Sequence, residues 1–178
     1  MRRGVLRGLA VVVAVIAIAF VVQRIFGDKT AEPRVLVPSP TATIGSGSEA
    51  IAVAANGAVV RWFPLGDEPA LPQLPLTEVP KGGRLKGPAL QQALVLGAAP
   101  AALQPYLASS RYGESGVDVE TTAGIELRFG DASQIARKWK AAAAVLADPE
   151  IEALDYVDLH APAHPAIGGS GHTLPALP

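Results

Sequence analysis

Three histidines, His160, His164 and His172, and two aspartates, Asp155 and Asp158, come closest in this chain to a set of residues that could do chemistry. His160 and His164 stand four apart, a metal-like spacing only on a helix, and Pro162 between them forbids that helix. His172 lies in a glycine-rich tail. Asp155 and Asp158 have opposite parity along a strand and cannot form a carboxylate pair on one face. Serines are plentiful, yet none sits in a Gly-x-Ser-x-Gly elbow after a strand. The run 168–171 lacks the Lys-Ser/Thr of a phosphate loop and precedes no helix. No cysteine is present, which excludes disulfides, thiol catalysis and thiolate-bound metals. No catalytic residue, metal site or cofactor is expected.

Charge and hydropathy point elsewhere. Arg2, Arg3, Arg7 and Arg24 lie in the first 26 residues, which contain no acid. The remaining 11 Lys and Arg face all 16 Asp and Glu, leaving the rest of the chain at about −5. That balance argues against a nucleic-acid surface, which needs a basic stripe. Residues 8–22 carry no polar side chain, and Ile25 and Phe26 prolong the run. With Arg7 and Arg24 snorkelling, 8–26 is a candidate transmembrane anchor touching lipid. Residues 1–7 would then lie in the cytoplasm and everything after the span outside it, by the positive-inside rule. Ala17-Ile18-Ala19 also has the form of a signal-peptidase site, although Phe20, Val21 and Val22 follow where a signal peptide turns polar.

Residues 27–48, with Pro33, Pro38, Pro40, Gly45 and Gly47, read as a linker, and order is expected from Ala50. Apolar runs at 50–54 and 58–62 flank Asn56-Gly57, a strong hairpin signal. Residues 64–80 read as a proline-punctuated loop, with Leu71, Leu74 and Leu76 along the surface. Pro88 opens a helix over 88–99, with Leu90, Ala93, Leu94 and Gly97 inward. A strand is expected near 106–110. Val117, Val119 and Thr121, then Ile125, Leu127 and Phe129, alternate with polar residues around a Gly124 turn and spell a second hairpin. Asp131 and Gln134 have capping-box spacing before a helix over 133–147. Its inner face is Ile135, Trp139, Ala142 and Leu146, with Trp139 a core anchor against Leu127, Phe129 and Val157. Lys138, at the border of that stripe, reads as a lysine that snorkels outward. Asp148-Pro149 stops the helix. Residues 154–161 form a last strand with Val157 and Leu159 on one side, and 168–178 read as a disordered tail.

In this order the pieces resemble the FtsQ/DivIB family of bacterial cell-division proteins. The resemblance runs over about 50–167. It lies in 52–59, in Leu71-Pro72-Gln73-Leu74-Pro75-Leu76, in Gly124-Ile125-Glu126-Leu127-Arg128-Phe129-Gly130-Asp131, in Lys138-Trp139 and in Tyr156-Val157-Asp158-Leu159. His160 stands where an arginine is common. Family members have a cytoplasmic N-terminus, one span, a POTRA domain and a β-domain. Between the candidate span and the first hairpin lie only residues 27–48, too few for a POTRA domain, so the expected layout goes from anchor and linker directly to the β-domain.

The expected fold is α+β: a single transmembrane helix, then a domain at 50–167 with an antiparallel sheet and two helices packed on it. The resemblance implies a non-enzymatic scaffold of the septal division machinery, binding FtsB/DivIC-like and FtsL-like partners outside the cytoplasm. An edge strand offers unpaired N–H and C=O groups. On that ground Tyr156, Val157, Asp158, Leu159, His160 and Ala161, helped by 163–167, are expected to pair with a partner strand, and Tyr156, Asp158 and His160 to select it. The alternative is an anchored extracytoplasmic sensor or ligand-binding domain unrelated to division, which would need a large dry pocket lined by Leu90, Leu127 and Trp139.

Overall fold

Alternating apolar residues build one mixed sheet on which two helices pack. A computed structural model of the chain describes residues 39–45, 47–63, 71–76 and 80–174, all of which belong to one compact unit. The candidate span 8–26 lies outside them, and among the described residues no helix is long and apolar enough to cross a membrane. The strands are β1 (Pro40–Ile44), β2 (Ile51–Ala54), β3 (Val59–Val60), β4 (Gln73–Leu74), β5 (Leu107–Gly113), β6 (Gly116–Thr121), β7 (Glu126–Gly130), β8 (Tyr156–Asp158) and β9 (Ala166–Gly168). They lie in the order β3-β2-β1-β4-β5-β6-β7-β8-β9. Helix α1 (Gly87–Gly97) joins β4 to β5, and α2 (Ile135–Leu146) joins β7 to β8.

The sheet is not purely antiparallel, as expected from the hairpins. β4 runs parallel to β1 and β5, and β7 runs parallel to β8. A helical crossover returns the chain to the end where it started, so the strand after each helix must be parallel to the one before it. Both helices pack on the same face, because the Trp139 indole on α2 donates to the carbonyl of Val95 on α1 at 2.8 Å. Trp139 is buried and its ring meets Phe129 at 4.6 Å between centroids, tilted as aromatic pairs prefer. Leu127, Phe129, Val157 and Trp139 share one core cluster, as their spacing predicts.

Five local expectations are corrected. Residues 40–44 are not linker: β1 is internal, with Ala42 and Ile44 buried, and its proline stands at the first strand position, where a missing N–H is tolerated. Leu74 does not lie on the surface, since β4 sits between β1 and β5 and Leu74 is 1% exposed. On α1, Ala93 is buried and Leu90 packs half-buried against the core as expected, but Leu94 is exposed, and Gln92, Val95 and Leu96 are buried instead. Gln92 is held inward by the Ser110 hydroxyl, which donates to its side-chain oxygen at 2.9 Å.

The fourth concerns the start of α2. Gln134 adopts a left-handed conformation with no side-chain cap, so no capping box forms. Asp131 instead accepts from the backbone N–H and the hydroxyl of Ser133 and from Lys138 Nζ. The Ser133 hydroxyl first, then Lys138, holds the Asp131 carboxyl well below its usual range. Lys138 does not snorkel outward. It is 2% exposed, and its ammonium donates to the carbonyls of Phe129 and Asp131 as well as to the Asp131 carboxylate. Three acceptors match the three donors of an ammonium, so its burial is tolerated.

Candidate partner-binding edge

The sheet ends at β9, and the residues around it were expected to be edge and tail. Tyr156, Val157 and Asp158 are paired on both flanks: with Glu126, Leu127 and Arg128 of β7, and with Gly168, Ile167 and Ala166 of β9. β8 is therefore internal, and 168–174 are ordered, which corrects both the edge and the disordered tail (175–178 lie outside the described residues). Pro162 and Pro165 do not end the order. They stand in a reversal, closed by the His164 N–H on the Ala161 carbonyl at 2.9 Å, that brings β9 back beside β8.

Beyond β9 the chain continues antiparallel to the segment before β8. The Leu154 N–H donates to the His172 carbonyl, the Leu174 N–H donates to the Glu152 carbonyl, and Ala153 bridges Thr173. Between these pairings the Asp155 carboxylate accepts from the Gly171 N–H at 2.8 Å and faces His172 Nδ1 at 3.1 Å. Gly169 has a positive φ and packs so closely on the Asp155 carboxylate that a Cβ there would collide with it. The glycines at 168–171 are therefore required by a close clamp and are not a linker.

The expected partner residues divide by face. Val157 and Leu159 are fully buried and hold β8 to the core. Tyr156 lies on the opposite, helix-free face, with the Arg128 guanidinium 4.0 Å from its ring centroid. That face continues as a charge ladder: Arg128 pairs with Glu126, and Arg111 with Glu126 and Asp118. Burial pushes the Asp118 carboxyl up, and Arg111 does not offset it. Asp158 accepts from the backbone N–H of His160 at 2.9 Å and faces its Nδ1 at 2.7 Å. The other ring nitrogen of His160 faces the Ser115 carbonyl of the β5–β6 turn at 3.3 Å. Both nitrogens meet acceptors, so the protonated imidazole satisfies both. The pKa of His160 is raised accordingly, first by its bond to Asp158.

His160 and exposed Ala161 also wall a cleft of about 620 Å³ between 160–163 and α2. Arg137 and Lys140 of α2 face it, and both are exposed and without an ion pair among the described residues. The outer side of β9 is the end of the sheet. Ala166 and Ile167 are exposed there, and no strand among the described residues pairs with them from outside. The reading of the residues missed this strand, because Ala166-Ile167-Gly168 is too short to show a period and stands between a proline and glycines. It also missed the Asp155–His172 clamp, which spans 17 residues and leaves no local signal. Among the described residues no group of three His, Asp or Glu is placed to hold a metal ion.

The class is that of a two-layer α+β domain whose terminal strand no other strand among the described residues covers, with a cation-lined cleft beside it. The family model of the cell division protein FtsQ/DivIB, C-terminal part, matches residues 42–160, more than half of the chain, and the chain belongs to that family. The match begins within β1, in accord with the place of that strand inside the sheet. Membership gives the chain a role in cell division, in a family whose members are not catalysts. No curated protein matched the sequence.

Proposed function

We propose that this protein is a non-enzymatic scaffold of the division machinery, anchored in the membrane through 8–26, whose extracytoplasmic domain takes up a strand from an FtsB/DivIC-like partner, with an FtsL-like protein alongside. The observation that carries this reading is the outer edge of β9, which no strand among the described residues pairs. The expected pairing thus moves outward by one strand. Ala166, Ile167 and Gly168 would supply the main-chain bonds. Tyr156 lies beneath Gly168, and Asp158 and His160 set the reversal that presents β9, so all three position the edge. An acid-bearing stretch flanking the partner strand would suit Arg137 and Lys140 in the neighbouring cleft.

The test is retention of division proteins by the full chain isolated from bacterial membranes. Ile167→Pro removes an N–H from β9 and should abolish retention, and Ile167→Thr, which keeps the strand, should preserve it. Full retention by Ile167→Pro would place the binding surface elsewhere. The sensor alternative needs a pocket lined by Leu90, Leu127 and Trp139, and the cleft beside α2 and the smaller clefts near β3 and β4 are lined by none of them.

A further inference from the structure

The opposite edge of the sheet has a different surface. β3 is flanked by the segment 80–86: the Val59 N–H donates to the Gly83 carbonyl, the Leu85 N–H to the Gly57 carbonyl, and Ala58 bridges Arg84. Arg61, just past β3, reaches across and donates to the Pro80 carbonyl at 2.7 Å. Arg61, Lys81, Arg84 and Lys86 thus lie along one edge, all exposed and without an ion pair among the described residues. Arg84 and Lys86 line a shallow cleft of about 420 Å³ with Leu76 and Pro80. The acids nearest in sequence, Asp67, Glu68 and Glu78, lie outside the described residues.

Cations at a sheet edge are a common guard against unwanted pairing, and alone they would imply nothing more. Trp62 is the second observation. It follows Arg61 directly and, at 65% exposed, is the most exposed large apolar side chain among the described residues. An indole held in water beside lysines and arginines matches the chemistry of the lipid headgroup region, where the ring sits at the boundary and the cations meet phosphates. Chain length makes the approach possible: thirteen residues lie between Phe26 and Pro40, and the fourteen steps between those two have an extended reach of about 46–50 Å at most.

We infer that the β3 edge, through Trp62, Arg61, Lys81, Arg84 and Lys86, docks on the anionic surface of the bilayer that anchors the chain. The domain would then lie with β3 toward the lipid and β9 away from it. This rests on the membrane-anchored reading above.

The chain has two tryptophans, and Trp139 is buried in the core, so lipid-borne quenchers report on Trp62. The full chain is placed in nanodiscs of brominated phosphatidylcholine, with and without anionic phosphatidylglycerol. Quenching is expected in the anionic discs and is lost in Trp62→Phe, leaving the Trp139 emission. It is also lost in the combined Lys81→Glu, Arg84→Glu, Lys86→Glu variant, and kept when Arg137→Glu and Lys140→Glu are introduced instead. Unchanged Trp139 emission verifies that each variant is folded, and raising salt on the native chain should reproduce the loss without any substitution. Quenching that is equal in neutral and anionic discs, or indifferent to the triple variant and to salt, overturns the inference and leaves the anchor intact. A chain that an alkaline wash strips from both kinds of disc overturns the anchored reading, and this inference with it.

Discussion

The two ends of one sheet finish in opposite ways. At β3 the chain's own 82–85 segment runs alongside, and lysines and arginines surround it. At β9 the last strand is short, small and uncharged, and nothing among the described residues covers its outer side. A bare edge is a hazard unless something occupies it, and charge or covering backbone are the usual remedies. Among the described residues those remedies stand at one end and not at the other. The difference teaches that an edge is best judged against its counterpart in the same sheet, where core and composition are shared.

The comparison can be broken most forcefully by severing what the two ends share. Trp139 carries α2 and the β9 half, and its indole is bonded to α1, which lies over β1 and β5. Trp139→Ala should lower stability by about 3–5 kcal/mol, read as a shift of the denaturation midpoint, with both halves melting together. Leu74→Ala attacks the strand between the halves and should follow at about 2–5 kcal/mol. A negligible effect would mean that β4 lies on the surface after all, and that the halves are joined elsewhere.

Smaller effects should be confined to one end. Asp155→Ala removes the acceptor of the Gly171 N–H and the partner of His172. It should loosen 166–174 by about 1 kcal/mol, roughly a fivefold rise in amide exchange there, with no change at 58–62. Equal acceleration at both ends would deny their independence.

The smallest effect is that of pH. His160 has a folded pKa raised above 6.5 by its bond to Asp158, with the Ser115 carbonyl on its other nitrogen and Lys138 opposing. Protonation therefore favours the folded arrangement. The contribution is complete below about pH 6.5 and is lost as pH rises through the raised value. Amide exchange at 160–165, corrected for its intrinsic pH dependence, should quicken across that window, and His160→Asn should flatten the change. The ring is nearly half exposed, so solvent screening keeps the effect modest.

Much of the α2 half was legible in the residues. The 117–129 hairpin, the inner face of α2 and the burial of Trp139 follow from periods of two and 3.6 in long, regular runs. The α1 half was less so. β1 and β4 are five and two residues long and carry prolines in or beside them, and although β1 also pairs with nearby β2, β4 draws its pairing from β1 and β5, both far along the chain. The face of α1 turned on Gln92, a polar residue that is inward only because Ser110 reaches it. The candidate site was half visible: Tyr156 to His160 lie at the right end of the sheet, but the 163–167 stretch expected to help them runs into Gly168 and forms the strand that covers them.

By itself the sequence determined which stretches alternate and which amphipathic helix covers them, and it carried the family resemblance, because these depend on neighbours within a few residues. Tertiary structure decided that the sheet is mixed, that Lys138 is buried and that β9 rather than β8 is the edge. Each of those depends on a partner that local pattern does not encode: a strand across a helical crossover, carbonyls at the end of β7, or a carboxylate 16 residues from the glycine it clamps.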